Sequence, residues 1–156
     1  MDAADLSHLA RAVDLAFAAR AHGNHPFGAT LVAADGTVVD AENTVLTDND
    51  PTGHAETNLV RKAAAVLSAS QLSGSTLFTS TEPCAMCSGA IFWAGIGRVV
   101  FALGEDELIA MIPGNSPEGT LALPSREVFA RGGRETLVLG PVYLARAHEA
   151  HAGFWG

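Results

Sequence analysis

The sequence predicts an α/β layered domain whose sheet begins with a β-hairpin. Three observations carry this. Runs with helical apolar spacing alternate with short β-rich runs along the chain. The dipeptide Asp35-Gly36 stands between two of the β-rich runs, where a hairpin turn belongs. A chain of 156 residues with 48% hydrophobic side chains suffices for one core, so residues 1–156 read as a single domain.

The elements follow in order. Leu6, Leu9, Ala10, Val13, Phe17 and Ala21 recur at helical spacing over residues 6–21. Ser7 and the early acids suit that helix's start, and Gly23 suits its stop. Residues 27–34 read as a strand, Asp35-Gly36 as the turn and 37–46 as the return strand. Residues 47–53 form a polar loop with Pro51. Residues 54–69 read as a helix with Leu59, Ala63, Val66 and Leu67 on its apolar side. Residues 75–80 are β-rich. Residues 84–94 are apolar almost all round, which predicts a buried helix. A strand over 98–102, a short helix over 105–111, a Pro- and Gly-rich loop over 112–125, a strand over 135–139 and a helix over 142–152 complete the chain.

Charge narrows the function. Nine Lys and Arg against seventeen Asp and Glu give a net charge of −8, and Lys62 is the only lysine. A clustered positive surface for phosphates is absent, which weighs against nucleic acid and anionic membranes as partners. The acidic N-terminus does not resemble a secretory signal, and no apolar run reaches the length of a spanning helix. A cytoplasmic protein is expected. Charged residues make up only 17%, against about 25% in an average soluble protein, which suggests a covered subunit face.

The chemistry concentrates in His54-Ala55-Glu56 and Pro83-Cys84-Ala85-Met86-Cys87. Cys84 and Cys87, at i and i+3, share one side of a first helical turn. The unpaired amides and positive dipole of that turn favour the thiolates a metal needs. Pro83 fits just before the helix, and His54 also sits where a helix begins. One imidazole and two thiolates suit a Zn²⁺ ion with an open fourth position. Glu56, two residues from His54, is placed to move protons beside that position without being a ligand. Two alternatives stay open. A closed four-ligand structural zinc would need a further pair such as His148 and His151, and Cys84-x-x-Cys87 could be a redox pair. His8, His22 and His25 read as ordinary surface or core histidines.

These motifs resemble the zinc-dependent cytidine deaminase superfamily. The resemblance extends over Pro26-Phe27-Gly28-Ala29, Asn43, Asp50-Pro51-Thr52 and residues 81–91, so it covers roughly residues 6–103. The chain is most similar to the branch of guanine deaminases, tRNA adenosine deaminases and fungal-type cytosine deaminases. The resemblance implies a three-layer α-β-α fold with a five-stranded mixed sheet between helices. It implies one Zn²⁺ per chain held by His54, Cys84 and Cys87, with Glu56 as the catalytic proton shuttle in hydrolytic deamination. It further implies substrate contacts from Phe27 (stacking on the ring), Asn43, the Ala55 amide and Trp93. Each of these has a plainer reading: Phe27 and Trp93 as packing, Asn43 as a turn cap.

The C-terminus carries no Lys or Arg after Arg146, unlike a tRNA-binding end. Its segment 141–156 is expected to be a helix and tail that cap the pocket through Glu149, Phe154 and Trp155. Asp50-Pro51-Thr52 points to the guanine branch, so a free nucleobase, guanine first, is the expected substrate. The guanine branch carries an acidic stretch after the fourth strand, whereas this chain has Pro113-Gly114-Asn115-Ser116-Pro117-Glu118. Asn115, Ser116 or Glu118 would have to read the base instead, or the substrate is cytosine, isocytosine, another purine, a nucleoside or an amino-triazine. A homodimer is expected from the family. The reading from another class is a non-catalytic zinc-binding module.

Overall fold

Helix α1 (Ala3–Ala21) begins earlier than its apolar spacing suggests, because Asp2 rather than Ser7 caps it. Asp2 Oδ1 accepts from the Asp5 amide at 2.9 Å, and Asp5 Oδ2 accepts from the Asp2 amide at 3.3 Å. This reciprocal box satisfies two amides that the first turn leaves unpaired. The computed structural model describes residues 1–114 and 120–156. Asn115, with Ser116 and Glu118, lies outside the described residues.

After α1 the chain runs through β1 (Gly28–Val32), β2 (Val38–Glu42), α2 (Ala55–Val66), α3 (Ala69–Ser73), β3 (Thr76–Thr81), α4 (Ala85–Ala94), β4 (Arg98–Leu103), α5 (Glu105–Met111), α6 (Ser125–Ala130), β5 (Leu137–Leu139) and α7 (Ala145–Glu149). The five strands lie in the order β2-β1-β3-β4-β5. β1 is antiparallel to both of its neighbours, while β3, β4 and β5 are parallel. The mixed sheet follows from the connections: the Asp35-Gly36 hairpin forces antiparallel pairing, and each later strand returns through helical crossovers.

Period-two alternation divides the apolar residues between two cores. Leu77 and Val99 face one side, with Leu31, Leu59, Ala63, Ile91 and Phe129. Phe78 and Val100 face the other, with Leu9, Ala12, Val13 and Ala147. Thus α1 and α7 cover one face of the sheet and α2, α4 and α6 the other, giving three α-β-α layers. At Gly28 the layers nearly touch. A Cβ there would stand 2.4 Å from the Ala12 carbonyl oxygen and 2.5 Å from the Ala16 amide nitrogen. Only glycine lets α1 lie this close on β1.

Four local expectations are corrected. The helix over 54–69 breaks at Leu67, which is extended, and Ser68 restarts it as α3 through a second reciprocal box with Gln71. Residues 84–94 are helical but not buried all round: Trp93 is 83% exposed and Met86 36%, because only one side of α4 packs against α2 and α6. Residues 125–130 form α6, which the sequence did not suggest, since its six residues bury only Ser125 and Phe129. The last helix shortens to Ala145–Glu149 and continues as turns. Among the described residues, no helix is long and apolar enough to cross a membrane.

The start of α1 is tied to the start of β4. Arg98 donates from Nη1 and Nη2 to the two oxygens of Asp5 at 2.9 and 2.7 Å. This hydrogen-bonded pair holds the Asp5 carboxyl below the ordinary carboxylate range, against the opposing effect of burial. A carboxyl lowered in the folded state stabilises fully above its unfolded value of about 3.9, and that contribution fades as pH falls through the lowered value. Asp5→Asn should therefore lower Tm at neutral pH and flatten the acid limb below about pH 4; parallel limbs for the two proteins would contradict this. Gly28→Ala should cost about 3 kcal/mol in urea unfolding, since the new methyl meets helix backbone that cannot swing aside. A loss of a few tenths would show that α1 lifts freely from the sheet.

Candidate active site

Two helix N-termini converge on one point. His54 is the N-cap of α2 and Cys84 the N-cap of α4, and both have extended backbones with no side-chain cap bond. Their side chains are thereby free to face each other. His54 Nδ1 lies 3.6 Å from Cys84 Sγ and 3.5 Å from Cys87 Sγ. A tetrahedral zinc with bonds of about 2.3 Å to sulfur and 2.0–2.1 Å to nitrogen sets S···N edges of about 3.6 Å. The three donors are thus spaced as zinc requires, and their ligand atoms all lie within 4.8 Å of one another. Both cysteines are free. Among the described residues no fourth ligand joins the group. His148 is bonded to Glu107 and His151 to Trp155, so the closed four-ligand alternative finds no support.

Glu56 stands on the first turn of α2 and is buried. Its Oε1 accepts from the Thr79 hydroxyl at 2.8 Å, and its Oε2 lies 3.5 Å from Cys87 Sγ. One oxygen is held by β3 while the other faces the cluster. Burial, then the Cys84 charge, pushes the Glu56 carboxyl above the ordinary range, with Thr79 opposing. The hydrogen bond from Cys87, helped by His54, pulls Cys84 down to about 4 against burial, and Cys87 is correspondingly pushed up. Cys84 raises His54 in turn, against burial.

Asn43, at the end of β2, is buried. Its Oδ1 accepts from the Val45 amide at 3.1 Å, so Nδ2 points elsewhere and finds no partner among the described residues. Its backbone amide donates to the Phe27 carbonyl at 3.0 Å, which places Phe27 beside it at the same end of the sheet. Phe27 is half-buried, and Ala55, directly after His54, is fully buried. The C-terminal turn folds back onto this end. Trp155 lies 6.2 Å from Phe27, and Phe154 meets Trp155 edge-on at 4.7 Å. Arg20, in the last turn of α1, fixes that turn by donating to the Ala150 and Ala152 carbonyls at 2.8 Å each.

Not every expected residue joins this group. Trp93 lies six residues beyond Cys87, roughly 9 Å along α4, and packs edge-on against Phe92 in an exposed position. Glu149 is exposed at the end of α7. Conversely, residues the sequence did not single out hold the site together. Asn24 accepts from the Leu46 and Thr47 amides, and Asn58 donates to the Glu42 and Gly53 carbonyls, pinning the loop that carries Asn43 to His54. Glu82 accepts from the Ser125 amide and hydroxyl and from the Glu105 amide, fixing both ends of segment 105–125 beside the cysteine helix. Burial, then Glu82, pushes the Glu105 carboxyl up to about 7. His25 is drawn into the ring group, 5.6 Å from Trp155, and is lowered by burial and by His54. Of these, only Glu82 stood inside a motif; the others act across distances that spacing does not encode.

Residues 3–103 match the model of the cytidine and deoxycytidylate deaminase zinc-binding region. A probable cytosine deaminase of Schizosaccharomyces pombe is 38% identical over 151 residues, covering 97% of this chain and 92% of the relative. The solved guanine deaminase of Bacillus subtilis superposes with a TM-score of 0.66 at 32% identity, over 99% of this chain and 94% of that one. A guanine deaminase structure from Nitrosomonas europaea superposes at 0.76 with 26% identity, over 97% and 86%. Three ligand atoms at zinc spacing, a buried carboxylate beside them, the three-layer fold and these likenesses agree: the chain belongs to the cytidine and deoxycytidylate deaminase family of zinc-binding deaminases.

Proposed function

We propose that the chain is a zinc-dependent aminohydrolase that deaminates a free nucleobase, guanine first. The observation that carries the reading is Glu56: a buried carboxylate that is not among the clustered ligands, anchored at Oε1 by Thr79 and aimed with Oε2 at the group. A zinc ion held by His54, Cys84 and Cys87 would supply a Lewis acid that activates water for attack on the amine-bearing carbon. Phe27 stacks on the ring, and Asn43 Nδ2 and the Ala55 amide orient it. Glu56 Oε2 takes the proton of the attacking water and passes it to the ring nitrogen beside that carbon. A second proton follows by the same atom to the departing nitrogen, so water and the amino-heterocycle give the oxo-heterocycle and ammonia. The raised Glu56 carboxyl suits a group that must both accept and deliver.

Segment 141–156 caps the pocket through Phe154 and Trp155, with Trp93 and Glu149 as further contacts in a dimer and Asn115 as another contact. The exposed Trp93 and Tyr143 and the small charged fraction suit a homodimer. Cytosine is the second substrate reading, favoured by the cytosine deaminase likeness along nearly the whole chain.

Zinc-loaded Glu56→Gln should keep one zinc per chain and lose about 10²–10⁴-fold in kcat. Undiminished turnover would sink the mechanism. Ammonia release is to be measured against guanine, cytosine, isocytosine, adenine, their nucleosides and amino-triazines. Guanine alone should be turned over at a high rate; cytosine alone would shift the substrate and keep the mechanism, and silence across the panel would favour the zinc-binding module.

A further inference from the structure

We propose that His151 donates a hydrogen bond from Nε2 to a ring acceptor of the bound base, and so is a specificity-determining residue; the proposal rests on the deaminase reading above. His151 is 2% exposed, although its ring bears two polar atoms. Trp155 Nε1 donates to its Nδ1 at 3.2 Å. An indole N–H is donor only, so Nδ1 must be the acceptor, and a neutral imidazole then carries its hydrogen on Nε2. Burial, with His148 and Arg20 adding to it, lowers His151 to about 4, so the ring is neutral at working pH. Nε2–H is therefore a buried donor, and no described residue accepts from it.

Its position gives that donor a use. The His151 ring meets Phe27 edge-on at 5.2 Å and stacks on Trp155 at 6.0 Å and 12°. Trp155 in turn lies 5.6 Å from His25. His151 thus belongs to the ring group of Phe27, Trp155 and His25, at the end of the sheet where Phe27 pairs with Asn43. Asn43 Nδ2 is another buried donor without a partner among the described residues, on a residue whose backbone amide bonds to the Phe27 carbonyl. A buried donor left without an acceptor is costly, and the cost is removed when a ligand brings one. Two such donors at one end of the sheet call for a flat heterocycle with at least two acceptors, carbonyl oxygens or unprotonated ring nitrogens. They also penalise an analogue in which an acceptor is replaced by C–H.

The test uses the zinc-loaded full chain carrying Glu56→Gln, so that bound bases are not consumed. Dissociation constants are measured for guanine and cytosine and for their analogues with single ring nitrogens replaced by C–H. One analogue should bind about tenfold or more weaker than its parent. Adding His151→Phe should weaken the parent by the same factor and leave that analogue unchanged, and His151→Gln, which keeps an N–H donor, should restore part of the loss. Equal weakening of parent and all analogues, or no weakening at all, overturns the proposal. If His151→Phe does not fold, His151→Met replaces it: the side chain again lacks an N–H donor, and the same selective loss is expected; its absence also overturns the proposal. Binding without ammonia release from any base by the unmutated enzyme would refute the deaminase reading alone, and failure to bind any base would refute both.

Discussion

The close packing of α2 on α4 is the constraint on which the site depends. A pair of helices carrying large residues at the contact would stand about 10 Å apart. Here Ala55 and Ala63 of α2 and Cys87 and Ser88 of α4 are small and buried. Their N-termini therefore meet side by side, and the first side chains of each, His54 and Cys84, approach within 3.6 Å. Neither N-cap side chain is spent on its own helix. The amides at both helix starts present positive potential to the thiolates that a dication needs.

The sheet supplies what the helices cannot. β3 delivers Thr79 to Glu56 from below and ends where Glu82, Pro83 and Cys84 begin. Its parallel pairing with β4 brings Gly104 and α5 to Glu82. One carboxylate then holds the start of α5 and, through Ser125, the start of α6. Both α5 and α6 thus start from a bond to Glu82, which stands between β3 and the cysteine helix. On the other side Asn24 and Asn58 fix the loop of Asn43, so the two flanks of the candidate site are each anchored by amide or carboxylate side chains. A site held this way pays its ordering cost on folding rather than on binding.

The corrections to the sequence reading have local physical causes. The helix over 54–69 broke because Ser68 and Gln71 offered a second set of caps, a signal present in the sequence but masked by continuous apolar spacing. Helix α6 escaped notice because six residues with two buried positions show no period. The expectation of an all-round buried α4 failed at Trp93, since an apolar composition does not say whether the far side meets the same chain or solvent.

By itself the sequence determined the five strands in order, most of the helices between them, the hairpin that makes the sheet mixed, and the candidate zinc ligand set. Each rests on short-range patterns: alternation, a turn dipeptide, and cysteines at i and i+3 on a helix start. It also marked Glu56, because a carboxylate two residues from a ligand cannot be far from the ion. Only the tertiary structure decided the rest. Arg20 meets the Ala150 and Ala152 carbonyls across some 130 positions, and Thr79 meets Glu56 across 23. His151, which spacing paired with His148, instead turns its ring to Phe27 and Trp155. Such contacts depend on how layers stack and where a chain end comes to lie, and those are set by burial summed over the whole core rather than by any local pattern.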